Sequence, residues 1–287
     1  MDKKEKGKQY QHYVPQVYLR KFKLLDSGHV WLTPKDLSSK SLKRSIRDEV
    51  CGSSQLYDYT QEDYKSSPEL NGRAFDHIEN VYMPTFENGH IPLIYKRLGS
   101  KKIILSDDDR LTIARVIAHL IRRNPDVYKK TFSENIVLDC LIDLKNALAQ
   151  RGFLKNGADD FQSDFEDQAL DAITAPGFRD RLFRGHVEPE EKLCQDFLAR
   201  LQQSKLFLLQ SDSERFITSD KPVSFAKTGE IYFPMSPSTC LLFNMTRRRA
   251  SDRMVSRKRV SDECVEAVNK IIATDANEYV ISSYRLV

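Results

Sequence analysis

Apolar residues recur at two different periods along this chain, and the change comes near Ser204. Between residues 71 and 204 they fall at helical spacing. From 205 onward they alternate or form short runs of strand length. The clearest helix start is Ser106-Asp107-Asp108-Asp109, a capping Ser followed by acids that suit the positive end of a helix dipole. That helix is predicted to run to Arg123 and stop at Asn124-Pro125. Asn71 is placed to cap an earlier helix carrying Phe75, Ile78 and Tyr82, with Pro84 as a break or kink, and a second follows over 91–98. Further helices are expected over 125–150, 160–173 and 189–204. Strands are expected over 205–210 and 215–218, joined as a hairpin by Ser211-Asp212-Ser213-Glu214, then over 231–233 and 240–244. A helix over 261–273 and a last strand over 278–283 complete the chain.

The N-terminal part is irregular by comparison. A helix opened by Pro15 is expected over 15–23, with short strands at 30–32 and 56–59 in polar, turn-rich sequence. Residues 1–10 read as a disordered basic tail. With 11 Gly and 11 Pro among 287 residues, little sequence resembles a linker. The prediction is one α+β domain over 11–287, helix-rich over about 71–204 and strand-rich over about 205–287, with a mostly antiparallel C-terminal sheet.

Charge narrows the function only where it is concentrated. The net charge is +4, from 45 basic and 41 acidic residues, too mild to indicate nucleic acid by itself. The segment 247–259, however, holds Arg247, Arg248, Arg249, Arg253, Arg257, Lys258 and Arg259 against the single acid Asp252, and could grip a nucleic acid or nucleotide. No aromatic residue interleaves it, which suits a solvated loop equally well. Five scattered cysteines without C-x-x-C spacing argue against a disulfide framework and a zinc knuckle. No signal peptide or membrane-length apolar run is evident, so a cytoplasmic protein is expected. Phosphate-loop, dinucleotide-binding, zinc-protease, serine-hydrolase and kinase motifs are all missing.

Candidate chemistry rests on a few ionisable residues set in apolar sequence. His12 stands beside the predicted N-terminal helix, as a general acid/base or as a hydrogen-bonded core histidine. Arg20 lies about two helical turns away, to bind an anion or to pair with an acid. The helix beginning at Asp107 is apolar almost all round except for one stripe, Asp108, Thr112, Arg115, His119 and Arg122. Facing a cleft, that stripe is an anion site with a titratable His; facing water, it is an ordinary outer face. Asp76 and Glu79 sit three apart on one helix and can approach Mg²⁺ together. Asp220, in Thr218-Ser219-Asp220-Lys221-Pro222, follows a strand, where a catalytic acid or an Asx-type turn is equally at home.

Three stretches also carry a resemblance. Gln11-His12-Tyr13-Val14-Pro15 with Tyr18-Leu19-Arg20 and Phe22 is one. Ile78-Glu79, followed by a helix ending in Arg122-Arg123-x-Pro125, is another. The third is Ile217-Thr218-Ser219-Asp220-x-Pro222-Val223 with Phe233-Pro234-Met235-Ser236-Pro237. Together they resemble the mainly bacterial domain of unknown function 4238 family. The resemblance implies that His12, Arg20, Glu79, Arg122 and Asp220 are the polar positions of interest, and it implies no reaction. Two readings follow. In the first, the protein is an enzyme on phosphate-containing substrates, nuclease- or phosphodiesterase-like. His12, Glu79 and Asp220 are then catalytic, Arg20, Arg115, His119 and Arg122 hold phosphate, and Glu79 and Asp220 bind Mg²⁺. In the second, it is a non-catalytic nucleotide- or protein-binding module in which these residues form a structural buried network.

Overall fold

A computed structural model describes residues 10–25, 27–54, 56–66, 72, 74–125, 195–248 and 254–287. It is a mixed α+β structure with three sheets. Strand β1 (Tyr10–His12) pairs antiparallel with β4 (Gly52–Ser54). Opposite Gln11 and Tyr10 the approach leaves room only for glycine, since a Cβ on Gly52 would lie 2.5 Å from the Gln11 carbonyl oxygen. Pro15 opens α1 (Gln16–Leu19), which tightens into a 3₁₀ turn over Arg20–Phe22. Strands β2 (His29–Pro34) and β3 (Leu42–Ser45) follow.

Helix α2 (Gln61–Ser66) is followed by an unusual segment. Ile78–Tyr82 and Thr85–His90 are wound as π-helix and lead into α3 (Ile91–Leu98). Pro84 does not break this run. It sits between the two π segments with helical φ −59° and ψ −28°. Helix α4 (Asp107–Arg122) starts in the capping box that the sequence announces, Ser106 accepting from the Asp109 amide and Asp109 accepting from the Ser106 amide. The expected helices within 126–194 and the Asn71 cap lie outside the described residues, which resume in α5 (Gln195–Gln203).

Beyond α5 come β5 (Ser204–Gln210), β6 (Thr218–Ser219), β7 (Ser224–Phe225), β8 (Glu230–Ser236), β9 (Thr239–Arg248), β10 (Ser256–Arg259), α6 (Asp262–Asp275) and β11 (Tyr279–Ser282). One sheet has the order β10-β5-β9-β8-β7 and is antiparallel except for the β10–β5 pair; the other has the order β3-β2-β11-β6 and is antiparallel throughout.

The apolar run in β5 is explained by burial on both faces. Leu206 and Leu208 join the main core with Tyr18 and Phe22 of the N-terminal turn and Ile113, Ile117 and Leu120 of α4. Phe207 and Leu209 point the other way, against Val265, Val268 and Ile272 of α6. Central placement also overturns the hairpin expected between 205–210 and 215–218. Both edges of β5 are already taken, by β9 and β10, so the chain crosses to the second sheet and β6 pairs with β11. The strand expected at 56–59 is absent for a related reason. The Tyr57 amide donates to the Gln11 side chain and the Tyr59 amide to the Phe75 carbonyl, which replaces ladder pairing. Among the described residues, no helix is long and apolar enough to cross a membrane.

Candidate functional site

The C-terminal end of α4 is where the separate sequence motifs meet. The helix is apolar enough to be buried, and it delivers Arg123 and Asn124 into the interior, 0% and 1% exposed. Arg123 Nη1 donates to Glu87 Oε1 at 3.0 Å, its Nη2 donates to the His12 carbonyl, and its guanidinium lies 5.8 Å from the centre of the Tyr57 ring. The Tyr57 hydroxyl in turn donates to the Arg123 carbonyl. Asn124 Nδ2 donates to the Asp220 carbonyl at 2.9 Å, and Asn124 Oδ1 accepts from Asn277. Two adjacent residues therefore tie the N-terminal strand, the π-helical segment and the turn between α6 and β11 to one point.

His12 is buried and its ring is fully engaged. Nε2 donates to the Ile46 carbonyl at 2.7 Å and Nδ1 accepts from the Gln16 side-chain amide at 3.3 Å. Burial holds its pKa below the ordinary value, so the neutral ring is the form this environment selects. Asp220, 2% exposed, is committed just as fully. Oδ1 accepts from the Asn277 amide at 2.9 Å, and Oδ2 accepts from the Glu278 and Tyr279 amides at 2.7 and 3.1 Å. Burial pushes its carboxyl up, against the pull of those three donors. The Asx-type turn expected for Asp220 is not what forms: its carboxylate joins two distant parts of the chain, because the amides it accepts from lie more than fifty residues away.

Glu79 differs from both. It lies on the first π-helical segment, and its Oε2 is buried with no hydrogen-bond partner among the described residues. Burial raises its pKa to about 7; Arg123 lowers it, and Glu87 and Asp58 raise it further. Its predicted neighbour Asp76 is half-buried in a turn, two residues before the π-helical segment begins at Ile78.

The polar stripe of α4 runs from solvent into the core. Asp108 is exposed, Thr112 and Arg115 are half-buried, and His119 and Arg122 are buried. His119 stacks on Phe86 with centroids 3.9 Å apart, and neither ring nitrogen has a hydrogen-bond partner among the described residues. Burial, with the charges of Arg123 and Arg122, holds its pKa well below the ordinary value. Burial likewise lowers the Arg122 pKa. Arg20 stands apart from this interior group. It is exposed and donates to Gln16 Oε1 at 3.1 Å, one hydrogen bond removed from His12.

In the basic segment, Arg257 donates to the Leu98 and Ser100 carbonyls at the end of α3, and Lys258 lies 4.4 Å from the centre of the Phe207 ring. Arg259 approaches Asp212 at 3.7 Å. Each of these three cations has an intramolecular contact; Arg249 and Arg253 lie outside the described residues. Among the described residues no group of three or more His, Cys, Asp or Glu side chains is arranged to hold a metal. Asp220 does not suit Mg²⁺, because both of its oxygens already serve backbone amides.

The sequence motifs single out His12, Glu79 and Asp220, but they point to Arg122 where Arg123 is the hub. Gln11, Tyr57, Glu87 and Asn124 are not singled out. The available signal was Arg-Arg-Asn-Pro at the end of a nearly all-apolar helix: polar residues there enter the core unless the chain turns at once. The chain matches the family model described as Protein of unknown function (DUF4238) over residues 10–285, and it belongs to that family. Neither a curated protein nor a solved structure matches it.

Proposed function

For this member of a family of unknown function, we propose a non-catalytic module that binds a phosphate-bearing ligand, in which the motif residues build the scaffold. One observation carries the scaffold role. Both ring nitrogens of His12 and both carboxylate oxygens of Asp220 are spent on the protein's own backbone and on Gln16, which leaves nothing for a substrate. General acid/base work needs a group within hydrogen-bond reach of the reacting proton. The net positive charge and the unevenly spread cations supply the attraction for an anionic ligand.

The scaffold role has a direct test. His12→Ala is expected to lose about 2 kcal/mol, because it removes a buried ring and leaves the Ile46 carbonyl unsatisfied. Chemical denaturation of the purified variant measures this. A variant as stable as the parent would overturn the scaffold role.

A second reading, an enzyme acting on a phosphate ester, is favoured by Glu79 alone. A carboxyl near pH 7 with one bare, buried oxygen is suited to moving a proton. If Mg²⁺ belongs to this reading, its residue is Glu79 rather than Asp220. Glu79 also gives a pH prediction. Between the ordinary carboxyl value of 4.5 and its folded value of about 7, the folded protein holds a proton that the unfolded chain has lost. Its contribution to stability therefore falls as pH rises through that window and levels off above it.

His12 and His119 act in the opposite sense. Their folded pKa values are lowered, so their contribution falls as pH drops below 6.5. Comparing the parent with Glu79→Gln isolates the carboxyl. The variant is expected to be more stable at pH 8 by about 1–2 kcal/mol, with the gain vanishing near pH 4.5. A constant difference across that range, measured by urea unfolding, would remove Glu79 from any proton-transfer role.

A further inference from the structure

We propose that the ligand of this module is a nucleotide-class phosphate ester, seated in the open cleft between the 3₁₀ turn after α1, the β5–β6 loop and the β8–β9 turn. This rests on the binding reading above and gives it a location. The cleft has a volume of about 600 Å³ and is lined by Lys21, Lys23 and Arg215, with Glu214 as the one acid. That volume lies within the range of small-molecule sites.

The cations are placed for an incoming anion. Among the described residues, Lys21, Lys23 and Arg215 enter no ion pair; Lys21 rests 4.7 Å from the Tyr95 ring centre, which positions it without neutralising it. The Arg215 backbone is pinned, its carbonyl accepting from Asn269 Nδ2 at 2.7 Å and from the Tyr284 hydroxyl at 3.0 Å, while its side chain stays exposed. Just before it, Glu214 adopts φ +52°, a left-handed conformation that a residue with a Cβ rarely takes. A guanidinium on a rigid backbone beside two ammonium groups matches the oxygens of a phosphate chain.

Two further features define the rest of the ligand. Leu25, also lining the cleft, is 95% exposed, more than any other large hydrophobic residue described. It offers an apolar surface for a base or comparable ring. Ser213 and Ser238 also line the cleft, and their hydroxyls, bonded to those of Ser211 and Ser236 at 2.8 and 3.1 Å, keep lone pairs for the hydroxyls of a sugar. A cleft lined by three cations, by serines and by an exposed Leu fits a nucleotide better than it fits inorganic phosphate.

Isothermal titration of the full chain with ATP, inorganic triphosphate and adenosine tests this, with phosphatidylserine vesicles as a further arm. ATP should bind at one site, inorganic triphosphate more weakly and adenosine not at all. The exposed pair Lys23→Glu/Arg215→Glu should fold normally and bind ATP roughly tenfold more weakly or worse. Leu25→Ser should weaken ATP and leave inorganic triphosphate unchanged. Unchanged ATP affinity in the charge-reversed pair would overturn the cleft as the site while leaving the binding function standing. No binding of either phosphate probe to the parent would overturn both, and binding to vesicles alone would replace the nucleotide with a lipid surface.

Discussion

Replacing Arg123 with Ala should cost about 3–5 kcal/mol of stability, the largest loss of any single substitution named here. The side chain is wholly buried and serves Glu87, the His12 carbonyl and the Tyr57 ring at once. Removing it leaves the half-buried Glu87 carboxylate without its cation, the His12 carbonyl without this donor, and a void against the Tyr57 ring. Arg123→Lys should recover only part of the loss, since one ammonium cannot reproduce a planar fork reaching Glu87 and His12 together.

A double-mutant cycle with Glu87→Gln separates the causes. If the stranded carboxylate dominates, Arg123→Ala/Glu87→Gln will be more stable than Arg123→Ala alone. Equilibrium urea unfolding followed by far-UV circular dichroism gives each value. A loss below about 1 kcal/mol, the scale of an exposed ion pair, would show that the contact is not the buried hub described here.

Why this hub was only half visible in the sequence follows from how local each signal is. Capping of α4 is local: Ser106 and Asp109 are three residues apart and bond each other, so the helix start can be read directly. The strand-rich end was legible because β8 and β9 are adjacent in the chain and apolar, and the pairing follows from a short turn. β5 was recognised as a strand but given the wrong partner, because apolar residues on both faces do not reveal which edges are taken.

The 56–59 stretch looked like a strand from its residue types, yet its backbone is served by Gln11, forty-six residues earlier, and no local pattern encodes that bond. The same limit applies to the site. His12 and Asp220 stood out because each lies in a distinctive motif. Whether their polar atoms are free for chemistry or already occupied depends on Ile46, Gln16 and the 277–279 amides, which only the folded chain brings near. Helical periodicity puts Arg122 on the polar stripe of α4, but the hub is Arg123, the C-cap residue just past the helix, whose partners periodicity does not encode.

Asp220→Ala should cost about 3 kcal/mol, with the damage confined at first to the start of β11. The wild-type carboxylate gathers the Asn277, Glu278 and Tyr279 amides, and its own amide donates to the Tyr279 carbonyl. Together these bonds set where α6 ends and where β11 enters its sheet between β2 and β6. Asp220→Asn should be nearly as damaging, because turning one acceptor into a donor sets it against a backbone N–H.

Hydrogen exchange gives the spatial readout. Protection should fall first at 277–281 and only later, on global unfolding, in β5 and β9. A catalytic aspartate would behave differently: its Ala variant would keep both stability and protection and lose only turnover. Parent-like exchange at 277–279 in Asp220→Ala would contradict the scaffold role and return Asp220 to the list of catalytic candidates. Loss of protection there would mean that the Thr218-Ser219-Asp220 motif is kept for folding, because it couples the last strand of the chain to the end of α4 through Asn124 and Asn277.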